Sequence, residues 1–287
     1  MARNVPKIFL DIIISWYDGM WCRVKWDDHW SSWFQITAGV RQGGILSPDF
    51  YCLYVDELVN ILKSSGVGCY IVDVFAAALI YADDMAVLAP SLKGLQRLLT
   101  ICEEYCKEWD VRLNGKKSKN MCFGKGPAPR HKLKIDGQPI EWVNKWEYLG
   151  ITLQSGPEFS CCINKTANKF YRAANAILRV EGRSDDIVML RLLETHCVSL
   201  LTYAIEVVHV IDKNVWRRMR VAYNSIFRKL FNYTYRQSVT DLQHALGRPT
   251  WEELVHSRQQ TFHERINKLS SDSHVRCIAS YRCPVPL

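Results

Sequence analysis

Asp83 and Asp84 stand side by side in the middle of the run FAAALIYADDMAVLAP, residues 75–90, which is otherwise apolar and uncharged. Residues Val74 to Ala82 and Met85 to Ala89 are each of strand length, so the two carboxylates are predicted on the turn of a β-hairpin. Two ionised acids between strands too apolar to be exposed are costly unless a cation neutralises them. Hard oxygen donors of this kind suit Mg2+ or Mn2+ rather than zinc. The same dipeptide is also a common polar turn, so both readings stand on these residues alone. His274, Cys277 and Cys283 are the nearest approach to a zinc-like set, and their spacing is poor for one. A second chemistry is carried by charge. Residues 112–134 hold eight Lys/Arg and no acid, and residues 213–236 hold seven and no acid. Acid-free basic segments suit a polyphosphate, because each phosphate neutralised releases counterions; a solvated helix face is the other reading.

The elements that must position these groups follow from periodicity and punctuation. Residues 5–17 place Ile8, Phe9, Ile12, Ile13 and Trp16 at helical spacing behind Pro6, which predicts a helix packed on a core. Residues 22–26 and 33–38 read as short strands about the turn Asp27-Asp28-His29, and the glycines of residues 39–44 break regular structure. Ser47-Pro48 predicts a helix start, with Ser47 as N-cap, running to about Lys63. Ser91 caps a second amphipathic helix, Leu92 to about Trp109, whose buried face is expected to carry Leu95, Leu98, Leu99, Cys102 and Tyr105. Asn114-Gly115 forces a turn, residues 118–123 form a candidate strand, and Asp136-Gly137 marks another hairpin. Residues 20–153 thus read as α+β. From Phe159 to Lys268 the pattern is helical throughout, with Gly156-Pro157 as the boundary, and Trp216, Met219, Tyr223, Ile226 and Leu230 share one helix face opposite Arg217, Arg220 and Arg228.

The whole chain has 287 residues, 48% hydrophobic and 23% charged, which excludes a disordered tail or a small stapled scaffold. Its longest apolar run is about half the roughly 18 residues of a spanning helix, so no membrane association is expected. The 11 cysteines, an odd number without a C-x-x-C pair, fit a reduced, intracellular setting. Net charge is +8, nearly all of it beyond residue 150.

Four segments, in order, resemble the reverse transcriptases. Tyr81-Ala82-Asp83-Asp84 resembles the Y-x-D-D box, and residues 41–48, Arg-Gln-Gly-Gly-Ile-Leu-Ser-Pro, resemble the R-Q-G-x-x-L-S-P segment, with Phe50-Tyr51 in place of the more usual Leu-Phe. Leu113-Asn114 with Lys117-Ser118 is similar to the lysine segment, and Tyr148-Leu149-Gly150 to the primer-grip hairpin. The style of the segments is similar to non-LTR (LINE-type) retrotransposon polymerases. The resemblance implies an incomplete right-hand polymerase palm over residues 1–153 and an all-α, thumb-like region over 154–287. It implies RNA template, DNA primer and dNTPs as partners, and nucleotidyl transfer assisted by Mg2+ or Mn2+. Asp83 and Asp84 then fit as metal ligands and Lys117 as the group that meets the triphosphate. Arg41, Gln42 and Gly43, with Tyr81 and Ala82, would border the nascent base pair. Tyr148, Leu149, Gly150, Arg217, Arg220 and Arg228 would face nucleic acid. The setting implied is intracellular, and nuclear where the parent element's mode of target-site insertion applies.

The family's metal site also uses a carboxylate on a strand before the first helix, of the form F-x-D-x-x-x-A-F-D, and no such segment occurs among these 287 residues. Asp11 falls within the helix pattern and does not replace it. The expectation is therefore a polymerase domain inactive in isolation, with weak metal binding. The alternative is a remnant that binds nucleic acid without catalysis. Sequence leaves oligomeric state open.

Overall fold

The computed structural model describes residues 5–37, 39–126, 129–179, 185–206 and 213–281. Ala38, where the second predicted strand ends, and Cys283 lie outside them. The chain forms two compact units, Met1–Asn60 with Tyr81–Asp83, and Ile61–Ile80 with Asp84–Leu287.

In the first unit, helix α1, Lys7–Tyr17, starts at Pro6 as its residue spacing predicts. It is not packed on a core: no α1 side chain is buried, and Ile8 and Trp16 are each 67% exposed. Its ring contact is Tyr17 edge-on to Phe50 at 5.6 Å. In place of the two predicted strands there are four short ones, β1 (Trp21–Cys22), β2 (Lys25–Trp26), β3 (His29–Trp30) and β4 (Phe34–Gln35), and His29, expected in the turn, opens β3. β2 pairs with β3 and β1 with β4, both antiparallel. The break between them has a local cause. Ser31 N–H donates to Val24 O at 2.9 Å, but the Val24 N–H donates to the Ser31 hydroxyl, also at 2.9 Å, instead of to a strand carbonyl. Helix α2, Ser47–Ser64, begins in the first unit and ends in the second, where Leu62 is fully buried.

The run of residues 74–82 is divided rather than continuous. β5 (Tyr70–Ile71) and β6 (Val74–Phe75) form one hairpin, and β7 (Ala78–Tyr81) pairs with β8 (Asp84–Val87) in another. The chain changes partner at Ala76-Ala77: Ala76 N–H donates to Cys69 O, while Ala77 O accepts from Leu88 N–H at 2.8 Å. Ala77 is buried against Gly68, where a Cβ would lie 2.4 Å from the alanine methyl, so only glycine allows this approach.

Helix α3, Leu92–Glu108, follows its expected pattern, with Ser91 Oγ accepting the Gly94 N–H at 3.1 Å and Leu98, Leu99, Cys102 and Tyr105 buried. Its Leu99 shares a small core with Leu133, Ile135 and Ile140. Ile135 ends β10 (Lys134–Ile135), which turns through Asp136 and Gly137, both at positive φ, into β11 (Gln138–Pro139). The Glu103 carboxylate accepts the Asp136 N–H at that turn. β9 (Lys119–Asn120) runs parallel to β12 (Glu141–Trp142). β13 (Lys145–Tyr148), β14 (Ile151–Gln154) and β15 (Ser160–Cys161) make an antiparallel sheet, so the helical pattern begins after Cys161 rather than at Phe159.

Beyond β15 the described elements are helical: α4 (Asn164–Leu178), α5 (Asp186–Leu193), a π-helical turn (Glu194–Val198) leading into α6 (Ser199–Thr202), α7 (Lys213–Leu230), α8 (Thr240–Ala245), α9 (Trp251–Asn267) and α10 (His274–Ser280). They enclose the larger core, around Phe170, Leu193, Leu201, Phe227 and Trp251. Helix α9 starts in a capping box, Thr250 with Glu253, whose hydrogen bonds hold the Glu253 carboxyl below the usual range. Among the described residues no helix is long and apolar enough to cross a membrane.

Candidate functional site

The two-residue turn between β7 and β8 is Ala82-Asp83, and Asp84 is the first residue of β8, so the aspartates do not share the turn as their spacing suggests. Ala82 takes the left-handed conformation, φ 48°, that starts such a turn. Tyr81, Ala82, Asp83 and Asp84 are all exposed; β7 alternates between half-buried and exposed positions, and Met85, Ala86 and Val87 of β8 are half-buried. The strands are therefore not closed around the acids, and water supplies part of the solvation that a cation was expected to provide.

The hairpin β13–β14 turns through Leu149 (φ 47°) and Gly150 (φ 76°), the pair of positive φ values of a type I′ turn. Tyr148, the residue before this turn, donates its hydroxyl to Leu79 O on β7 at 3.4 Å. Burial, and after it the negative charge of Asp84, holds the Tyr148 phenol above the usual tyrosine range. The fold thus brings the Tyr148 ring and Asp84 within electrostatic reach. The turn itself is fastened from the helical region: Tyr203 donates to Leu149 O at 2.8 Å, and a Cβ on Gly150 would lie 3.2 Å from the Tyr203 ring. Neither Tyr203 nor the Leu79 carbonyl is legible in the sequence. A tyrosine 54 residues from its acceptor leaves no local signal, and every residue has a carbonyl.

In the first unit, Arg41, Gln42 and Gly43 form an exposed loop ahead of α2, and Gly43 has φ 81°. Ser47 is not the helix N-cap. It is the first helical residue, and its buried hydroxyl donates to Arg41 O at 2.6 Å, the same carbonyl that accepts the Gly44 N–H at 3.0 Å. A Cβ on Gly44 would sit 2.6 Å from that hydroxyl. Gly44→Ala is expected to displace Ser47 from Arg41 at a cost of about 1 kcal/mol. Amide exchange at Gly44 and Ser47 should accelerate accordingly; unchanged protection would show that the loop absorbs the methyl.

Lys117 lies on the turn begun by Asn114, its N–H donating to Asn114 Oδ1 at 3.1 Å and its side chain exposed. On α7, Arg217 and Arg220 are exposed while Met219, Tyr223, Ile226 and Leu230 are buried. Arg220 meets Glu252 at 3.3 Å, and both are about half exposed, so this pair is worth little. Arg228 departs from the expected open basic face: its guanidinium donates to Gln237 O at 3.1 and 3.3 Å and fastens the loop after α7.

Asp83 and Asp84 supply two hard oxygen donors, a number that suits one Mg2+ completed by water and substrate phosphates. Among the described residues no three His, Cys, Asp or Glu side chains assemble to hold a metal ion. The donor type fits a divalent cation, and the number falls short of a protein-built two-metal site.

Residues 1–153 match the family described as reverse transcriptase (RNA-dependent DNA polymerase). The RNA-directed DNA polymerase from mobile element jockey of Drosophila melanogaster is 24% identical over 271 residues, 91% of this chain and 29% of that protein. A probable RNA-directed DNA polymerase from transposon BS of the same fly is 26% identical over 245 residues, 81% of this chain and 26% of its own length. The Pol polyprotein of the type-2 retrotransposable element R2DM is 28% identical over 173 residues, 56% of this chain and 16% of that protein. The chain therefore spans less than a third of the first two relatives' length. With more than half of its residues matched, the chain belongs to the reverse transcriptase (RNA-dependent DNA polymerase) family, as a relative of the non-LTR retrotransposon polymerases.

Proposed function

We propose that this chain carries part of the nucleotidyl-transfer site of a retrotransposon RNA-directed DNA polymerase, and that the 287-residue polypeptide by itself binds primer–template without extending it. Residues 1–153 correspond in this reading to an incomplete palm and 154–287 to a thumb-like region. The observation that carries it is the exposed Ala82-Asp83 turn with Asp84 beside the Tyr148 hairpin, inside the segment matched to the family.

The reaction joins a primer 3′-oxygen to the α-phosphorus of a dNTP and breaks the bond to pyrophosphate. Reverse transcriptases generally depend on a divalent metal, and a cation held by Asp83 and Asp84 would neutralise charge on the phosphates. Ala82 leaves room for the primer terminus, because its side chain is a single methyl. The Arg41-Gln42-Gly43 backbone can approach a base pair closely at Gly43, where no side chain intervenes. Lys117 extends from an exposed turn, free to meet a triphosphate and to protonate the departing pyrophosphate. Tyr148, pinned to Leu79, and the Leu149-Gly150 tip, pinned by Tyr203, give the primer strand a rigid edge. Catalysis of this kind requires the reacting groups in line and both charges compensated, which two carboxylates do not achieve alone.

The test is an RNA–DNA primer–template titrated with the full chain. Affinity should fall steeply with salt, and Arg217→Glu with Arg220→Glu should shallow the slope of log K against log salt by about 0.9 for each phosphate no longer neutralised. An unchanged slope would mark these arginines as a solvated face. Primer extension by the unmodified chain would overturn the two-ligand reading.

A further inference from the structure

We propose that the β2–β3 hairpin is a stacking platform for single-stranded nucleic acid, formed by Arg23, Lys25, Trp30 and Trp33. This rests on the reading that the chain works on nucleic acid, and it adds a binding surface in the first unit that none of the four motif segments includes. The Arg23 guanidinium lies 3.9 Å from the centre of the Trp30 ring and 4.8 Å from that of Trp33, and Lys25 Nζ lies 5.5 Å from Trp30. The two indoles are 51% and 58% exposed. Lys25 pairs with Trp30 across the ladder and Trp26 with His29, so the alternation of a β-strand sets Lys25 and Trp30 on one face and Trp26 on the other. The acids of this hairpin, Asp27 and Asp28, are confined to its turn, and the Lys25–Trp30 register position carries none.

The chemistry selects the occupant. An apolar protein partner would bury two cations laid over the rings and pay for their desolvation. A single strand instead offers flat bases for the indoles and phosphates for Arg23 and Lys25, and every base has a π-face, so sequence matters little. A duplex keeps its bases stacked on one another and leaves the indoles unused.

The experiment titrates the full chain against fluorescein-labelled oligo(dT) and oligo(rU) of about 12 nucleotides, within the usual site sizes, reading anisotropy. Trp30→Ala and Trp33→Ala should each weaken both oligonucleotides about tenfold, the effect of losing one stacked base. Trp30→Phe, which keeps a ring, should recover most of the loss, and Trp26→Ala on the opposite face should behave as wild type. Arg23→Ala should reduce the salt slope by about 0.7, the single-strand value for one phosphate. Wild-type affinity in Trp30→Ala and Trp33→Ala would overturn the platform while leaving the polymerase reading intact, because primer–template binding is measured separately. Failure of the wild-type chain to bind either oligonucleotide would also overturn it. A change in sedimentation of the free Trp30→Ala protein, with oligonucleotide affinity unaltered, would assign the surface to association between copies of the chain.

Discussion

Placed in the jockey polymerase of Drosophila melanogaster in exchange for the stretch it matches, this chain should support RNA-templated primer extension, and Asp83→Asn in that chimera should lower the rate by about 10³-fold. The figure corresponds to about 4 kcal/mol of transition-state stabilisation, the scale expected when a metal-held charge is removed. The substitution is nearly isosteric on an exposed turn, so folding should be untouched and the loss should fall on the chemical step. Asp84→Asn should behave similarly and should also let the Tyr148 phenol ionise more readily, because the charge of Asp84 is one of the two causes that raise it. Tyr148 absorbance against pH reads that second effect independently of activity. A chimera that extends primers equally well with Asp83→Asn would refute the assignment of the acids. A folded chimera without activity would direct attention to Phe50-Tyr51, where the chain departs from the more usual Leu-Phe.

Trp251→Ala should destabilise the helical core by about 3–5 kcal/mol, measured by urea denaturation of the full chain. Trp251 is completely buried, with Tyr223 at 5.6 Å and Trp216 at 5.9 Å between ring centres. Tyr223 in turn donates to Pro249 O at 2.8 Å and anchors the residues that lead into α9. Removing the indole leaves a cavity among rings that cannot all move inward, which places the cost at the upper end for core truncations. Trp251→Phe should cost less than about 1.5 kcal/mol, because the indole Nε1 is buried without a hydrogen-bond partner among the described residues and its loss recovers part of the packing penalty. Equal destabilisation by Phe and Ala would show that the N–H is satisfied after all.

Sequence by itself determined the elements whose causes are local. Ser91 and the spacing of Leu98, Leu99, Cys102 and Tyr105 define α3; Asp136-Gly137 defines a turn because both residues accept positive φ; the buried stripe of α7 follows a helical period. The order of the four motif segments sufficed to indicate the family that residues 1–153 match. Tertiary structure alone decided what depends on a distant partner. The strand break at Ala76-Ala77 is a change of hydrogen-bonding neighbour, and nothing in a continuous apolar run marks where it falls. The turn between β7 and β8 falls on Ala82-Asp83, one residue earlier than the dipeptide suggests, so Asp84 lies on the strand, and in a strand a shift of one residue reverses which face a side chain occupies. Helical periodicity gave α1 an apolar stripe but could not say whether anything covers it, and in the first unit none of its residues is buried. Arg228, expected to face nucleic acid, and Tyr203, which no sequence pattern singles out, became fasteners only because the fold brought the carbonyls of Gln237 and Leu149 within reach. Carbonyls are the same at every position, so only the folded chain specifies which of them a donor will find.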